Sequence, residues 1–229
     1  MIRFDNVTKS YPSGHEALSD ISFVVPSGDM VFLTGHSGAG KSTLLKLLFR
    51  IELPTCGKIY IDDTCLNTLK RRHVPQLRQR IGMIFQNPKL LENYSVYENV
   101  ALPLVISGYR PLEIKRRVHV ALDKVNLLRK ERLFPDSLSS GEQQRVGIAR
   151  AIVHKPSILL ADEPTGNLDP KLSQEIMQLF HAFNQVGVTV LVASHDLGLI
   201  GKLKHRILTL HQGKMLSTGI QFSDHGNEE

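Results

Sequence analysis

Cysteine is scarce in this 229-residue chain: Cys56 and Cys65 are the only two, and their spacing fits no zinc pattern. A disulfide between them is out of place in a reducing cytosol, so both read as plain thiols. Apolar runs of membrane-spanning length are also missing. The longest, such as 188–193, fall far short of the roughly 20 residues a transmembrane helix requires. The first residues, Met1 to Asp5, lack the basic-then-apolar pattern of a secretory signal. The expectation is a cytosolic protein, or one held at a membrane only through a partner. There is no internal repeat, no low-complexity linker and no heptad run, which argues against a long coiled-coil insertion.

Acidic residues are outnumbered, 22 against 28 Lys and Arg, giving a net charge of +6 and a sequence pI near 9.4. That balance is compatible with an anionic partner, and equally with basic faces that are simply solvated. The basic residues gather at Lys70, Arg71, Arg72, Arg78 and Arg80, and again at Lys115, Arg116 and Arg117. No aromatics interleave them as a base-stacking platform requires, so an anionic membrane surface is favoured and nucleic acid is not expected.

Hydrophobic content of 41% and charged content of 22% suit a soluble globular chain with a substantial core. Strand-like segments fall at Ile2 to Phe4, Ile21 to Val25, Met30 to Thr34, Lys58 to Ile61 and Ile81 to Phe85. They return at Ser157 to Ala161, Val188 to Ala193 and Arg206 to Leu210, with a helix from about Lys171 to Asn184. Between residues 95 and 155 the periodicity is helical. Ile114, Val118, Ala121, Leu122, Val125 and Leu128 are expected along one face. Continuously apolar strands alternating with helices imply a parallel sheet covered on both faces. The helical block reads as an inserted subdomain, and residues 218–229 as a frayed polar end.

Within this frame, Gly35-His36-Ser37-Gly38-Ala39-Gly40-Lys41-Ser42 joins an apolar strand to an apolar helix. The pattern G-x-x-x-x-G-K-S in that context predicts a phosphate-binding loop. Gly38 and Gly40 let backbone N–H groups converge on one anion, at the positive end of the helix. Lys41 is expected at the β- and γ-phosphates, and Ser42 on Mg²⁺. The apolar run Ile158 to Ala161 then ends in Asp162-Glu163, at the strand edge where α/β sheets bind ligands. Asp162 is expected to hold Mg²⁺ opposite Ser42, and Glu163 to orient or deprotonate the attacking water.

Leu138-Ser139-Ser140-Gly141-Glu142 opens a further helix and presents hydroxyls and N–H groups there. It resembles the signature segment of the ABC-transporter ATPases, usually L-S-G-G-Q. Ser140 departs from the usual glycine and Glu142 from the usual glutamine. The resemblance covers nearly the whole chain. It implies a P-loop NTPase of α/β class: a mostly parallel core sheet, an N-terminal antiparallel β subdomain, and an inserted helical subdomain at about 87–155 of a single domain, 1–229. It also implies ATP and Mg²⁺ as ligands, and a head-to-tail homodimer in which the signature Ser139, Ser140, Gly141 and Glu142 closes over the partner's nucleotide.

By the same resemblance Tyr11 stacks on adenine, and Gly35, His36, Ser37, Gly38, Ala39, Gly40, Lys41, Ser42 and Thr43 cradle the phosphates. Gln86 senses Mg²⁺ and the attacking water, His195 contacts the γ-phosphate, and Asn167-Leu168-Asp169 touches the other subunit. Within the family, 36–46, 141–150 and 160–169 look most like the branch acting in bacterial cell division. That branch implies a peripheral position on the cytoplasmic face of the inner membrane, an integral permease-like partner of the FtsX kind, and a role in septal cell-wall remodelling. The lipoprotein-release and macrolide-export branches are the alternative. The segment from Gln86 to about Pro103, with Leu90, Leu91, Tyr94, Val96 and Tyr97, is expected to form the groove that receives a helix of the membrane partner.

Overall fold

In the computed structural model, residues 1–166, 168–201 and 205–217 are described. Asn167 and the 218–229 segment, for which expectations were stated, lie outside them. From the N-terminus, β1 (Ile2–Ser10) and β2 (Glu16–Val25) are followed by β3 (Met30–Thr34) and α1 (Lys41–Leu48). Next come β4 (Cys56–Ile61), β5 (Thr64–Cys65), α2 (Val74–Gln79) and β6 (Ile81–Ile84). Three helices follow: α3 (Val96–Ile106), α4 (Pro111–Lys124) and α5 (Ser140–Ile152). The chain then alternates through β7 (Ile158–Asp162), α6 (Pro170–Gln185), β8 (Thr189–Ala193), α7 (Leu197–Gly201), β9 (Arg206–His211) and β10 (Lys214–Ser217).

Two sheets result, and their burial patterns explain the division. One is antiparallel, in the order β2-β1-β4-β5. In β1 the buried residues Ile2, Phe4 and the later Val7 share a face, so the sheet has one wet side and one packed side. The other sheet runs β10-β9-β3-β8-β7-β6; all its pairings are parallel except β9 with β10. Every residue of β3, β6 and β8 is buried, as is required of strands with helices on both faces. One core cluster lies between the two sheets around α1. The other joins the far face of the parallel sheet to α3, α4, α5 and α6.

The helical stretch is broken where periodicity alone gave no warning. Ile114, Val118, Ala121 and Leu122 form the buried face of α4 as expected, and Val125 is buried at its end. Leu128 is not on that face; it lies 37% exposed in a 3₁₀ turn. Asn126, at φ 58°, turns the chain away first, in a left-handed conformation that asparagine tolerates. Phe85 lies one residue beyond β6 and is half-buried. Among the described residues, no helix is long and apolar enough to cross a membrane.

The loop between β6 and α3 has little secondary structure, so its backbone groups need other partners. Asn99, fully buried on α3, supplies them. Its Oδ1 accepts from the Leu91 N–H at 2.8 Å, and its Nδ2 lies 3.0, 2.9 and 3.0 Å from the carbonyls of Leu91, Tyr94 and Ser95. Asn99→Ala leaves the Leu91 N–H and the Tyr94 carbonyl without this partner, while the carbonyls of Leu91 and Ser95 keep backbone donors, the N–H groups of Tyr94 and of residue 99. A loss of about 2–3 kcal/mol in unfolding free energy is expected by urea denaturation. A change below about 0.5 kcal/mol would mean that the loop holds its shape without Asn99.

Candidate active site

Three neighbouring strands of the parallel sheet, β3, β8 and β7, end at one edge, and backbone hydrogen bonds tie their exits together. The Ser194 N–H donates to the Leu33 carbonyl at 3.1 Å, and the Glu163 N–H to the Ala193 carbonyl at 2.9 Å. The glycine-rich loop after β3, the acidic pair at the end of β7 and His195 after β8 therefore meet in space, although 120 residues separate Ser42 from Asp162.

The loop depends on glycine at specific places. Gly35, Gly38 and Gly40 have φ of 149°, 79° and 107°, in the region L side chains avoid. A Cβ on Gly40 would also lie 2.6 Å from the Ala17 carbonyl oxygen. With this geometry the N–H groups of Gly38 and Gly40 donate to no protein acceptor among the described residues, and α1 begins immediately after them. Lys41 is nearly buried. A buried ammonium needs partners, and its Nζ finds the carbonyls of Gly35 at 2.6 Å and His36 at 3.2 Å, with Glu163 Oε1 at 3.4 Å.

Glu163 is the hub of the site. Its other oxygen, Oε2, lies 2.8 Å from His195 Nδ1 and accepts from the His195 N–H at 3.3 Å. It adopts φ 47°, an uncommon conformation for a long side chain and one that concentrates at functional sites. Beside it, Ser42 Oγ donates to Asp162 Oδ1 at 3.1 Å. Burial pushes the Asp162 carboxyl above the ordinary aspartate value. The Ser42 hydrogen bond opposes that shift, the Glu163 charge adds to it, and Lys41 and Lys46 oppose it. Gln86 leans over the turn that follows: its Nε2 lies 3.2 Å from the place a Cβ on Gly166 would take, so glycine leaves it room.

A cavity of about 530 Å³ opens beside them, bounded by Tyr11, His15, Ala17, residues 36–43, Gln86, Glu163 and His195. That falls in the range of small-molecule sites. Tyr11 is fixed at the entrance, with its hydroxyl donating to Glu52 at 3.0 Å and Lys9 Nζ 5.0 Å from the ring centroid. Glu52 carried no sequence signal. The structure does not bring Ser139, Ser140, Gly141 and Glu142 to this cavity. Ser139 and Glu142 instead form a reciprocal cap at the start of α5. Lys130 sits 2.5 Å from Glu142, and its hydrogen bond is the largest cause holding that carboxyl below its ordinary value. Gly141 lies close against Leu172: a Cβ there would fall 1.9 Å from a terminal methyl of that side chain, which would have to move aside. Two further residues escaped the sequence reading because nothing local marks them. Buried Gln144 donates to the Phe85 carbonyl at 3.1 Å, and Arg150 donates to the carbonyls of Pro88 and Lys89, so α5 braces the segment that carries Gln86.

The expected groove is only partly exposed. Leu91 and Tyr94 are 41% and 42% exposed; Val96 is fully buried in the helical core, and Leu90 and Tyr97 pack against it. Val96 and Tyr97 open α3 and Asn99 draws the loop inward, which leaves the loop crest as the exposed apolar surface.

A phosphate loop, an acidic strand end and a histidine arranged on adjacent parallel strands define a nucleotide-hydrolysing cassette. Residues 18–166 match the ABC transporter family, and the chain belongs to that family of ATPases. It is 57% identical to the cell division ATP-binding protein FtsE of Escherichia coli K12, over 94% of this chain and 97% of that one. The Bacillus subtilis FtsE is 46% identical over 93% of each chain, and the Mycobacterium tuberculosis FtsE is 47% identical over 94% of each. Among solved structures, a dimeric ATP-binding cassette in a post-hydrolysis state, bound to ADP and Pi, superposes with a TM-score of 0.88 at 35% identity. That match covers 97% of this chain and all of the other.

Asp162 offers a direct test of the site's electrostatics. Its carboxyl is harder to ionise folded than unfolded, so its charge opposes folding at neutral pH and the penalty is relieved as the pH falls through the raised value. Asp162→Asn keeps the acceptor for Ser42 and removes the charge. In thermal unfolding without nucleotide, the variant should melt above the parent at pH 7, with the gap narrowing towards pH 4. A variant that melts lower at pH 7 would reverse the assigned sign.

Proposed function

We propose that this chain is the ATP-binding and ATP-hydrolysing subunit of a membrane complex acting in cell division. In this reading it is a single nucleotide-binding domain with its helical subdomain at about 87–155. It works as an ATP-bound homodimer with an FtsX-like integral partner, peripheral on the cytoplasmic face of the inner membrane, where its basic surface meets anionic headgroups. The observation that carries the chemistry is the convergence of Lys41, Asp162, Glu163 and His195 from three strand ends. The cell-division role draws support from FtsE relatives at 43–57% identity across nearly the full chain.

The phosphates of ATP lie along the N–H groups of residues 38–43, with Tyr11 at the base. Ser42 and Asp162 fit Mg²⁺: a hydroxyl and a carboxylate oxygen stand 3.1 Å apart beside the phosphate loop. Mg²⁺ sites of this kind complete their shell with phosphate oxygens and water. Gln86, which lines the same cavity as Ser42, would supply a third oxygen ligand. When bound, the ion neutralises charge developing on the β- and γ-phosphates. Phosphate oxygens compete with Glu163 for Lys41, which frees the carboxylate. Glu163 then takes the proton of the water attacking the γ-phosphorus, and His195, anchored on Glu163 Oε2, orients toward the γ-phosphate. The signature at the start of α5 closes over the nucleotide of the second subunit, in keeping with its absence from this chain's own cavity.

Glu163→Gln keeps shape and hydrogen bonding but cannot accept the proton. ATP binding should persist while turnover falls by about 10²–10⁴-fold, and the variant should elute as a dimer only with ATP. A monomer at saturating ATP would sink the dimer reading.

The exposed crest at Leu91 and Tyr94 is assigned to the membrane partner. Tyr94→Asp should shift the protein from the membrane to the soluble fraction, leave ATP affinity unchanged, and give filamentous or chained cells. Normal membrane recovery with normal division would place the contact elsewhere.

A further inference from the structure

The second basic cluster has no part in the nucleotide site, and the fold gives it a different setting. Arg116 and Arg117 on α4 come together with Lys124, at the end of that helix, and Lys155, in the turn before β7. The four cations rim a cavity of about 610 Å³ between α4, the end of α5 and the C-terminal half of α6. Its floor is apolar: Ala121, Val153 and Leu159 are buried there, and Leu179 and Phe183 are packed alongside. At its mouth Val186 is 78% exposed.

The charge on the rim is one-sided. Among the described residues, no acidic side chain lines the cavity. Glu113, one turn away on α4, is already bound to Arg117 at 2.9 Å, and the Arg117 guanidinium lies 4.8 Å from the Tyr109 ring centroid, which fixes its direction. Arg116, Lys124 and Lys155 have no ion-pair partner among the described residues. An apolar pocket of drug-sized volume whose polar groups are all cationic calls for a ligand with one apolar body and one anionic head. A simple inorganic anion would leave the floor wet, and a neutral apolar molecule would leave the rim unmatched.

We propose that this cavity binds a soluble single-chain anionic amphiphile, its alkyl chain against Leu159, Leu179 and Phe183 and its phosphate or carboxylate head between Lys124 and Lys155. The site lies at the opposite end of the parallel sheet from the nucleotide. Leu159 is near the entry of β7, whereas Asp162 is at its exit, and Val188 precedes β8, whose exit leads to His195. Occupancy is therefore separable from ATP binding.

The chain has no tryptophan, so Val186→Trp at the mouth gives a single fluorescent reporter. With the full-length protein and dodecyl phosphate below its micellar concentration, titration should saturate at one per chain and shift the emission to the blue. Dodecyl maltoside, with the same tail and a neutral head, and inorganic phosphate, with no tail, should each bind at least about tenfold more weakly. Lys124→Glu combined with Lys155→Glu should weaken dodecyl phosphate by about tenfold or more, with ATP affinity and the unfolding midpoint retained. Equal affinity for the two amphiphiles, equal affinity for inorganic phosphate, or insensitivity to the charge reversal would each overturn the proposal. So would binding seen only with phosphatidylglycerol vesicles, which would make the cluster a membrane-facing patch.

Discussion

The parallel register of β3, β8 and β7 is the constraint on which the site depends. A phosphate loop needs a strand to deliver it and a helix to receive it, but the loop alone holds only an anion. Catalytic groups must stand beside it, and in a parallel sheet every strand exit falls on the same edge. With β8 between β3 and β7, the hydrogen bonds from Ser194 to Leu33 and from Glu163 to Ala193 align the three exits. A one-residue slip of β7 would turn Asp162 to the other face of the sheet.

The electrostatics follow from that crowding. Lys41 has two carbonyls and one carboxylate around it, so its charge is matched within the fold. Asp162 and Glu163 are adjacent acids, and they sit in different surroundings. Asp162 points at a hydroxyl in a half-buried position where ionisation is disfavoured. Glu163 is held between a lysine and a histidine. In the proposed function these separate partners go with separate duties, one carboxylate for a metal ion and one for a proton.

The helical block is joined to this site by polar contacts rather than by apolar packing alone. Gln144 and Arg150 on α5 hold residues 85 to 89 from one side, and Asn99 on α3 holds residues 91 to 95 from the other. The segment from Gln86 to the exposed Leu91 and Tyr94 is thus a braced strap between the nucleotide cavity and the surface.

The chemistry was legible in the linear chain wherever it is local. The glycine spacing of the phosphate loop, the apolar run ending in Asp162-Glu163 and the cap at Ser139 each depend on neighbours a few residues apart, so the sequence by itself determined the parallel α/β core, the nucleotide chemistry and the family resemblance. Long-range partners left no local trace. Glu52 beside Tyr11, Gln144 beneath Phe85, Asn99 under the loop crest and the gathering of Lys124 and Lys155 around one cavity all join distant segments. Burial was decided only by packing as well: Val96 and Tyr94, two residues apart, became core and surface because α3 begins between them. Local spacing selects elements and motifs, whereas the side each residue faces and the charges it meets are set by which strands and helices share an edge.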